Sequence, residues 1–202
     1  MQELLVTTAL VRIVTDLGAI VVALYGDAAP VSVENFLAYV DAGHYEGATF
    51  YRATYKDEDG TGIAVIQGGR FRELMAFGGY EVAEGVLPPI RHETTAVTGL
   101  SHTDGAVSMA RMDPGSATSE FFICIGDNLN LDFGGSRNPD GQGFAVFGQI
   151  IEGMKVVRAI QEQPTDADLG SEFVQGEVLE PPVRILRIER LVITDRDAPG
   201  IS

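Results

Sequence analysis

The chain has 202 residues, with 29 acidic against 14 basic side chains and a formal net charge of −15, which sets it against polyphosphate backbones and anionic membrane surfaces. Its composition, 45% hydrophobic and 21% charged, is that of a globular chain able to bury a core without staples, and a single cysteine, Cys124, excludes an intrachain disulfide framework. No run of about 18 apolar residues exists to span a membrane, and Met1–Val14 lacks a basic stretch leading into an apolar core, which leaves the periplasm (with a signal removed) and the cytoplasm both open.

Val11–Asp16 and Ile20–Tyr25 are rich in β-branched residues and flank Leu17-Gly18, which reads as a hairpin. Ala29-Pro30 opens a helix, because Val33, Phe36, Leu37 and Val40 fall at helical spacing and Gly43 stops the run. Strands are expected at Thr49–Thr54, Ile63–Gln67, Gly105–Arg111, Phe121–Gly126, Phe144–Ile150 and Arg184–Ile193. A second helix is expected at about Glu152–Gln161, with Met154, Val157 and Ile160 on one face and Pro164 beyond its end. Eight strands, two helices and 24 glycines for turns and bulges suit a mainly β fold, a barrel whose open ends are plugged by helices, with a two-sheet sandwich as the alternative. No repeat, Gly/Ser linker or composition shift divides the chain, so residues 1–202 are expected to form one domain.

Four loops read as long: Tyr55–Gly62, Phe71–Ile90, Phe133–Gly143 and Gln163–Pro182. Asp57 and Asp59 imitate the start of a calcium loop, but position twelve would be Gly68, so a solvated turn is expected and no metal. Common catalytic templates fail in turn. There is no Gly-x-Ser-x-Gly elbow and no P-loop, and His92-Glu93 lacks a second histidine at the zinc spacing. His102, within Ser101-His102-Thr103-Asp104, reads as an exposed turn residue, and Cys124, inside an apolar strand, as a buried inert thiol. What remains is Arg52 in the aromatic strand Phe50-Tyr51-Arg52, with Phe121-Phe122 downstream. Arg52 is either a surface residue or a planar donor facing a neutral ligand in an apolar groove, and residue types alone leave both open.

At this point the motifs resemble the cyclophilin-type peptidyl-prolyl cis–trans isomerases, in a bacterial style. The resemblance begins at Ala29-Pro30-Val31-Ser32-Val33-Glu34-Asn35-Phe36 and continues with Tyr45-Glu46-Gly47-Ala48-Thr49-Phe50-Tyr51-Arg52 and Gln67-Gly68-Gly69. Its strongest stretch is Gly105-Ala106-Val107-Ser108-Met109-Ala110-Arg111, followed by Pro114–Ile123. Leu131-Asp132 and Ala145–Gly153 complete a set of ordered blocks within about residues 11 to 193.

The resemblance implies a closed eight-stranded antiparallel β-barrel capped by two α-helices, and isomerisation of Xaa-Pro bonds in peptides and unfolded proteins by a monomer. No cofactor, metal, nucleic acid or membrane insertion is implied. By position, Arg52 matches the catalytic arginine, and Gln67 the glutamine that orients it and contacts the substrate carbonyl. Phe122 and Leu131 match walls of the proline pocket, with Phe50 in support, and Met109, Ala110, Arg111 and Met112 the strand that pairs with the substrate. Ala64 and Val65 fall where many members have Phe and Met, Asn130 where eukaryotic members often have a tryptophan that donates to cyclosporin, Phe144 where a pocket histidine is usual, and Glu120 where a glutamine is usual. Glu120 is expected to pair with Arg111 at the groove's edge and leave Arg52 free, or else to point into water. A fold of this kind that binds proline-containing segments with little turnover is the alternative function. An unrelated acidic β-domain that binds calcium or sugar is the third reading.

Overall fold

In the computed structural model, residues 7–58, 60–71, 85–170 and 174–192 are described. Strands β1 (Ala9–Thr15) and β2 (Gly18–Leu24) pair from Ala9↔Leu24 to Thr15↔Gly18, so the turn falls on Asp16-Leu17, one residue earlier than the β-branched runs suggest. Helix α1 (Pro30–Asp41) starts on a proline, whose missing N–H is harmless in the first turn. Its N-cap residue, Ala29, has no side chain to cap it. Glu93 does this from a distance: its carboxylate accepts the N–H groups of Val31 (3.1 Å) and Ser32 (2.8 Å) and the Ser32 hydroxyl (2.8 Å).

Strands β3 (Thr49–Ala53), β4 (Val65–Gly69), β5 (Ala106–Met109), β6 (Phe121–Cys124), β7 (Ala145–Glu152), β8 (Thr165–Asp166) and β9 (Val178–Leu191) follow, with helices α2 (Thr95–Thr98) and α3 (Met154–Gln161) and a 3-10 turn at Leu129–Leu131 between them. The spatial order is β1-β2-β7-β5-β6-β4-β3-β9, and β9 closes back on β1. Every pairing is antiparallel. The result is an eight-stranded barrel rather than a sandwich, with the two-residue β8 added to the edge of β9. Helix α1 packs on β7 and β9, and α3 on β2, β3 and β4.

Phe36 from α1 inserts into the barrel against Phe121 (ring centroids 5.5 Å, edge-on), Tyr45 (5.3 Å) and Phe147 (5.2 Å). Aromatic packing at these offsets adds to the burial itself, which alone contributes about 1.5–3 kcal/mol for each large side chain.

Several boundaries differ from expectation for local reasons. Strand β9 begins at Val178 instead of Arg184 because it runs through Pro181-Pro182, a pair that reads as a stop. Strand β4 is Val65–Gly69 instead of Ile63–Gln67, and β5 and β6 stop early, at Met109 and Cys124. The short α2 and β8 carry too few residues to show a period. The Tyr55–Gly62 loop prolongs the β3–β4 hairpin through a Lys56↔Gly62 bridge, and Asp57 accepts the Thr61 hydroxyl at 3.0 Å, a turn closed on itself. Asp59 and most of Phe71–Ile90 lie outside the described residues. Among the described residues, no helix is long and apolar enough to cross a membrane, and no cluster of three metal-ligating side chains occurs.

Candidate functional site

The site is a row across the barrel wall. Arg52 on β3 is the Cα partner of Gln67 on β4, Gln67 of Phe122 on β6, and Phe122 of Ser108 on β5. Directly opposed residues in antiparallel strands share a face. Residues separated by 14 to 70 positions in sequence therefore line up along one face of the sheet, with neighbouring strands about 4.8 Å apart. The adjacent row is Phe50, Gly68, Phe121 and Met109, and its side chains point into the core.

A β-bulge puts Arg52 on the correct side. Phe50 pairs with Gly68 and Arg52 with Gln67, so Tyr51 is an extra residue with no partner of its own. Without it, Phe50 and Arg52 would share a face, since residues two apart in a strand do so.

A polar chain then fixes the guanidinium. Arg52 Nη1 donates to Gln67 Oε1 (2.8 Å), Gln67 Nε2 donates to Tyr51 Oη (2.8 Å), and the Tyr51 hydroxyl donates to Glu120 Oε2 (2.6 Å). Arginine can only donate, so the orientation of the Gln67 amide follows. On its other edge, Arg52 donates from Nε to Glu177 Oε2 (2.7 Å), and Nη2 lies 2.6 Å from the same oxygen in an ion pair. The Glu120 carboxyl is buried, and that burial pushes it up to about 7, against the hydrogen bonds it accepts from Tyr51, the Arg70 N–H, the Ser119 hydroxyl and the Phe71 N–H. Burial, and then the nearness of Glu120, also raise the Tyr51 phenol well above its usual value. Gly69 makes room for this carboxylate: its φ is +147°, and a Cβ there would come within 2.2 Å of Glu120 Oε1.

Beside this chain lies an aromatic wall. Phe122 stacks on His102 (5.8 Å, 11° between planes) and meets Phe144 edge-on (5.4 Å). Arg111 lies 5.1 Å from the Phe144 ring centre, forms two bonds to Asp140 (2.8 and 2.9 Å) and donates to the Gly143 carbonyl. Leu131 is buried next to this layer, and its carbonyl accepts the Phe144 N–H at 3.0 Å. His102 Nδ1 contacts Asp132 Oδ1 at 2.6 Å and Nε2 contacts Ser108 Oγ at 3.0 Å, the connectivity of a hydrolase triad. His102 and Ser108 are fully buried behind Phe122, however, so no substrate carbonyl reaches the serine.

Of the residues expected from sequence, Arg52, Gln67, Phe122, Leu131 and Phe144 come together here. Four expectations are corrected. Glu120 neither pairs with Arg111 nor points into water, because its pairing with Tyr51 turns it inward while Asp140 takes Arg111. The Phe50 and Met109 side chains do not reach the groove but belong to the core-facing row, where Phe50 packs on Phe121 at 5.7 Å. Ala110, Arg111 and Met112 lie past the end of β5 and are not in a strand. His102 is a buried spacer behind the wall, not an exposed turn residue. Asn130 is bonded through Nδ2 to the Gly62 carbonyl (2.9 Å), which ties the β3–β4 loop to the rim. Cys124 is buried, as its strand context implies, and burial raises its thiol far above the usual range. Tyr51, Glu177 and Asn128, which clasps the Ala64 backbone from both sides, gave no signal of their own in the sequence.

Residues 10–190 match the family model for cyclophilin type peptidyl-prolyl cis-trans isomerase/CLD. A peptidyl-prolyl cis-trans isomerase of Streptomyces antibioticus is 41% identical over 165 residues, 81% of this chain and 90% of its own length. One from Acinetobacter baylyi is 36% identical over 181 residues, 89% of this chain and 84% of its own. The crystal structure of a Cryptosporidium parvum cyclophilin type isomerase, obtained in the presence of the dipeptide Ala-Pro, superposes with a TM-score of 0.68 at 23% identity, covering 91% of this chain and 99% of that one.

Proposed function

The chain belongs to the cyclophilin-type peptidyl-prolyl cis–trans isomerases and accelerates rotation about Xaa-Pro bonds, and from that premise we propose that Arg52 is its catalytic group and Gln67 the residue that orients it. The carrying observation is the cross-strand row, which sets a planar cationic donor and the aromatic wall of Phe122 on the same face of the barrel. In this reading the prolyl ring lies against Phe122, Leu131 and Phe144, with Ala110, Arg111 and Asn130 at the rim and Met109 in the core-facing row behind. Glu120 and Phe50 act only from behind.

The amide resists rotation because conjugation keeps it planar, with a barrier of ~18–20 kcal/mol. An N–H aimed at the prolyl nitrogen pairs with the lone pair that rotation frees. The interaction is made only near the twisted state, so it lowers the barrier instead of merely tightening binding. Rotation neither forms nor breaks a covalent bond, and so it requires no nucleophile.

The proposed substrates are proline-containing peptides and unfolded chains, bound by a monomer without membrane insertion. The reading of residues 1–202 as one isomerase domain is supported by the family match and by a core continuous through the barrel. An exchange assay on an Ala-Pro peptide tests the site. Arg52→Ala is expected to lower kcat/KM at least about tenfold, or ~1.4 kcal/mol of transition-state stabilisation. Wild-type turnover in that variant would remove Arg52 from the mechanism, and negligible turnover in the wild type would favour a binding module.

A further inference from the structure

We propose that Glu177 is a positioning residue for isomerisation, holding the Arg52 guanidinium by one edge so that its remaining donors face the substrate groove; this rests on the reading of Arg52 as the catalytic group. Glu177 precedes β9 in a segment that the barrel does not require for closure. Its place is nonetheless fixed by backbone bonds. The Ala53 N–H donates to its carbonyl at 3.0 Å, and its own N–H donates to Val174 at 3.0 Å. The register of β9 explains why it arrives here. Val183 pairs with Phe50 but Val178 pairs with Arg52, so Leu179–Pro182 bow out opposite the Tyr51 bulge and bring Glu177 beside the arginine.

Guanidinium has five N–H donors in a rigid plane. Glu177 Oε2 accepts from Nε and pairs ionically with Nη2 at 2.6 Å, and Gln67 Oε1 accepts from Nη1. The two hydrogen bonds hold the fork from two sides and leave donors on both terminal nitrogens. Anchors on two sides of a planar fork fix both its position and its rotation about the side-chain axis, whereas Gln67 alone leaves the plane free to swing. The Arg52 side chain is 11% exposed and that of Glu177 37%. The anchor therefore stands between the arginine and solvent, where water would otherwise compete for the same edge. Catalysis by one directed hydrogen bond is sensitive to such swing, because a displacement of about 1 Å misses the reacting atom.

The test measures kcat and KM separately, with the Ala-Pro peptide exchange assay, for wild type, Glu177→Ala, Glu177→Gln, Arg52→Ala and the Arg52→Ala/Glu177→Ala double variant. Glu177→Ala is expected to lower kcat five- to tenfold with KM within twofold and little change in melting. Glu177→Gln, whose carbonyl oxygen can accept the same Nε bond, is expected to keep at least half of the wild-type kcat. In the Arg52→Ala background, Glu177→Ala should have no further effect. Unchanged or increased kcat in Glu177→Ala would overturn the proposal, as would an equal fractional loss without Arg52 or a Gln variant as poor as the Ala one. Full activity in Arg52→Ala alone would instead defeat the underlying reading of the arginine, whatever Glu177 does.

Discussion

Glu120→Gln exchanges a buried carboxyl for a neutral amide of nearly the same shape, and it should change how stability depends on pH. Burial pushes the Glu120 carboxyl from 4.5 up to about 7 in the folded protein. The unfolded chain releases that proton near 4.5 and the folded chain near 7, so between these values the folded state holds more protons. Stability that is present in acid is therefore lost as pH rises toward and through 7. A shift of this size amounts to roughly 2–3 kcal/mol between pH 5 and pH 8, a large part of the stability of an ordinary domain. The variant has no such proton, so relative to wild type it should gain about that amount over the same interval, with other titrating groups common to both. Urea unfolding followed by far-UV circular dichroism at the two pH values measures the difference. Indistinguishable pH dependence in the two proteins would refute the burial cost at Glu120, and with it the inward-facing anion at the end of the Arg52 chain.

Arg52→Lys should be nearly as poor as Arg52→Ala in the peptide exchange assay, because an ammonium cannot satisfy Gln67, Glu177 and the prolyl nitrogen in one plane; activity near wild type would refute the need for a planar fork. Cyclosporin should inhibit only weakly, since Asn130 lacks an indole face and commits its amide N–H to Gly62. A low-nanomolar inhibition constant by titration of activity would show that another group replaces that contact. Cys124 should resist a thiol-colouring disulfide reagent until the protein unfolds, because it is buried and its thiol stays protonated. Reaction in native buffer at the rate of a free thiol would contradict that burial.

The barrel was legible in the sequence because its signals are local. β-Branched runs between turn residues and the Val33-Phe36-Leu37-Val40 stripe each report on their own element, and all eight barrel strands and both longer helices appear where those runs fall. What could not be read locally was pairing. Pro181-Pro182 concealed the first part of β9, whose partner changes from Arg52 to Phe50 across those residues. Glu93, which caps α1 from 61 residues beyond Ser32, leaves no trace in the helix that it serves. His102 was misread for the same reason: a polar turn sequence predicts solvent, but Asp132 and Ser108 satisfy both ring nitrogens inside the protein, so it can be buried without an orphaned donor.

Arg52 and Gln67 were found through their resemblance to a known motif, but the features that make them a site depend on register. Strict alternation along Phe50-Tyr51-Arg52 would send Phe50 and Arg52 to one face, placing either the phenylalanine in water or the guanidinium in the core. The Tyr51 bulge removes the conflict by changing parity between them, with the bowed Leu179–Pro182 segment on the neighbouring strand. The inserted tyrosine then sends its hydroxyl between Gln67 and Glu120, so the residue that re-aims the arginine also helps to hold it. This explains why a tyrosine and a buried acid occur together in this chain. A neutral glutamine at position 120 can accept from Tyr51 only by turning its NH2 group toward the Arg70 and Phe71 N–H donors, whereas a carboxylate accepts from both directions at once. The cost of burying that charge is thus linked to a unidirectional chain of donors from Arg52 to Glu120.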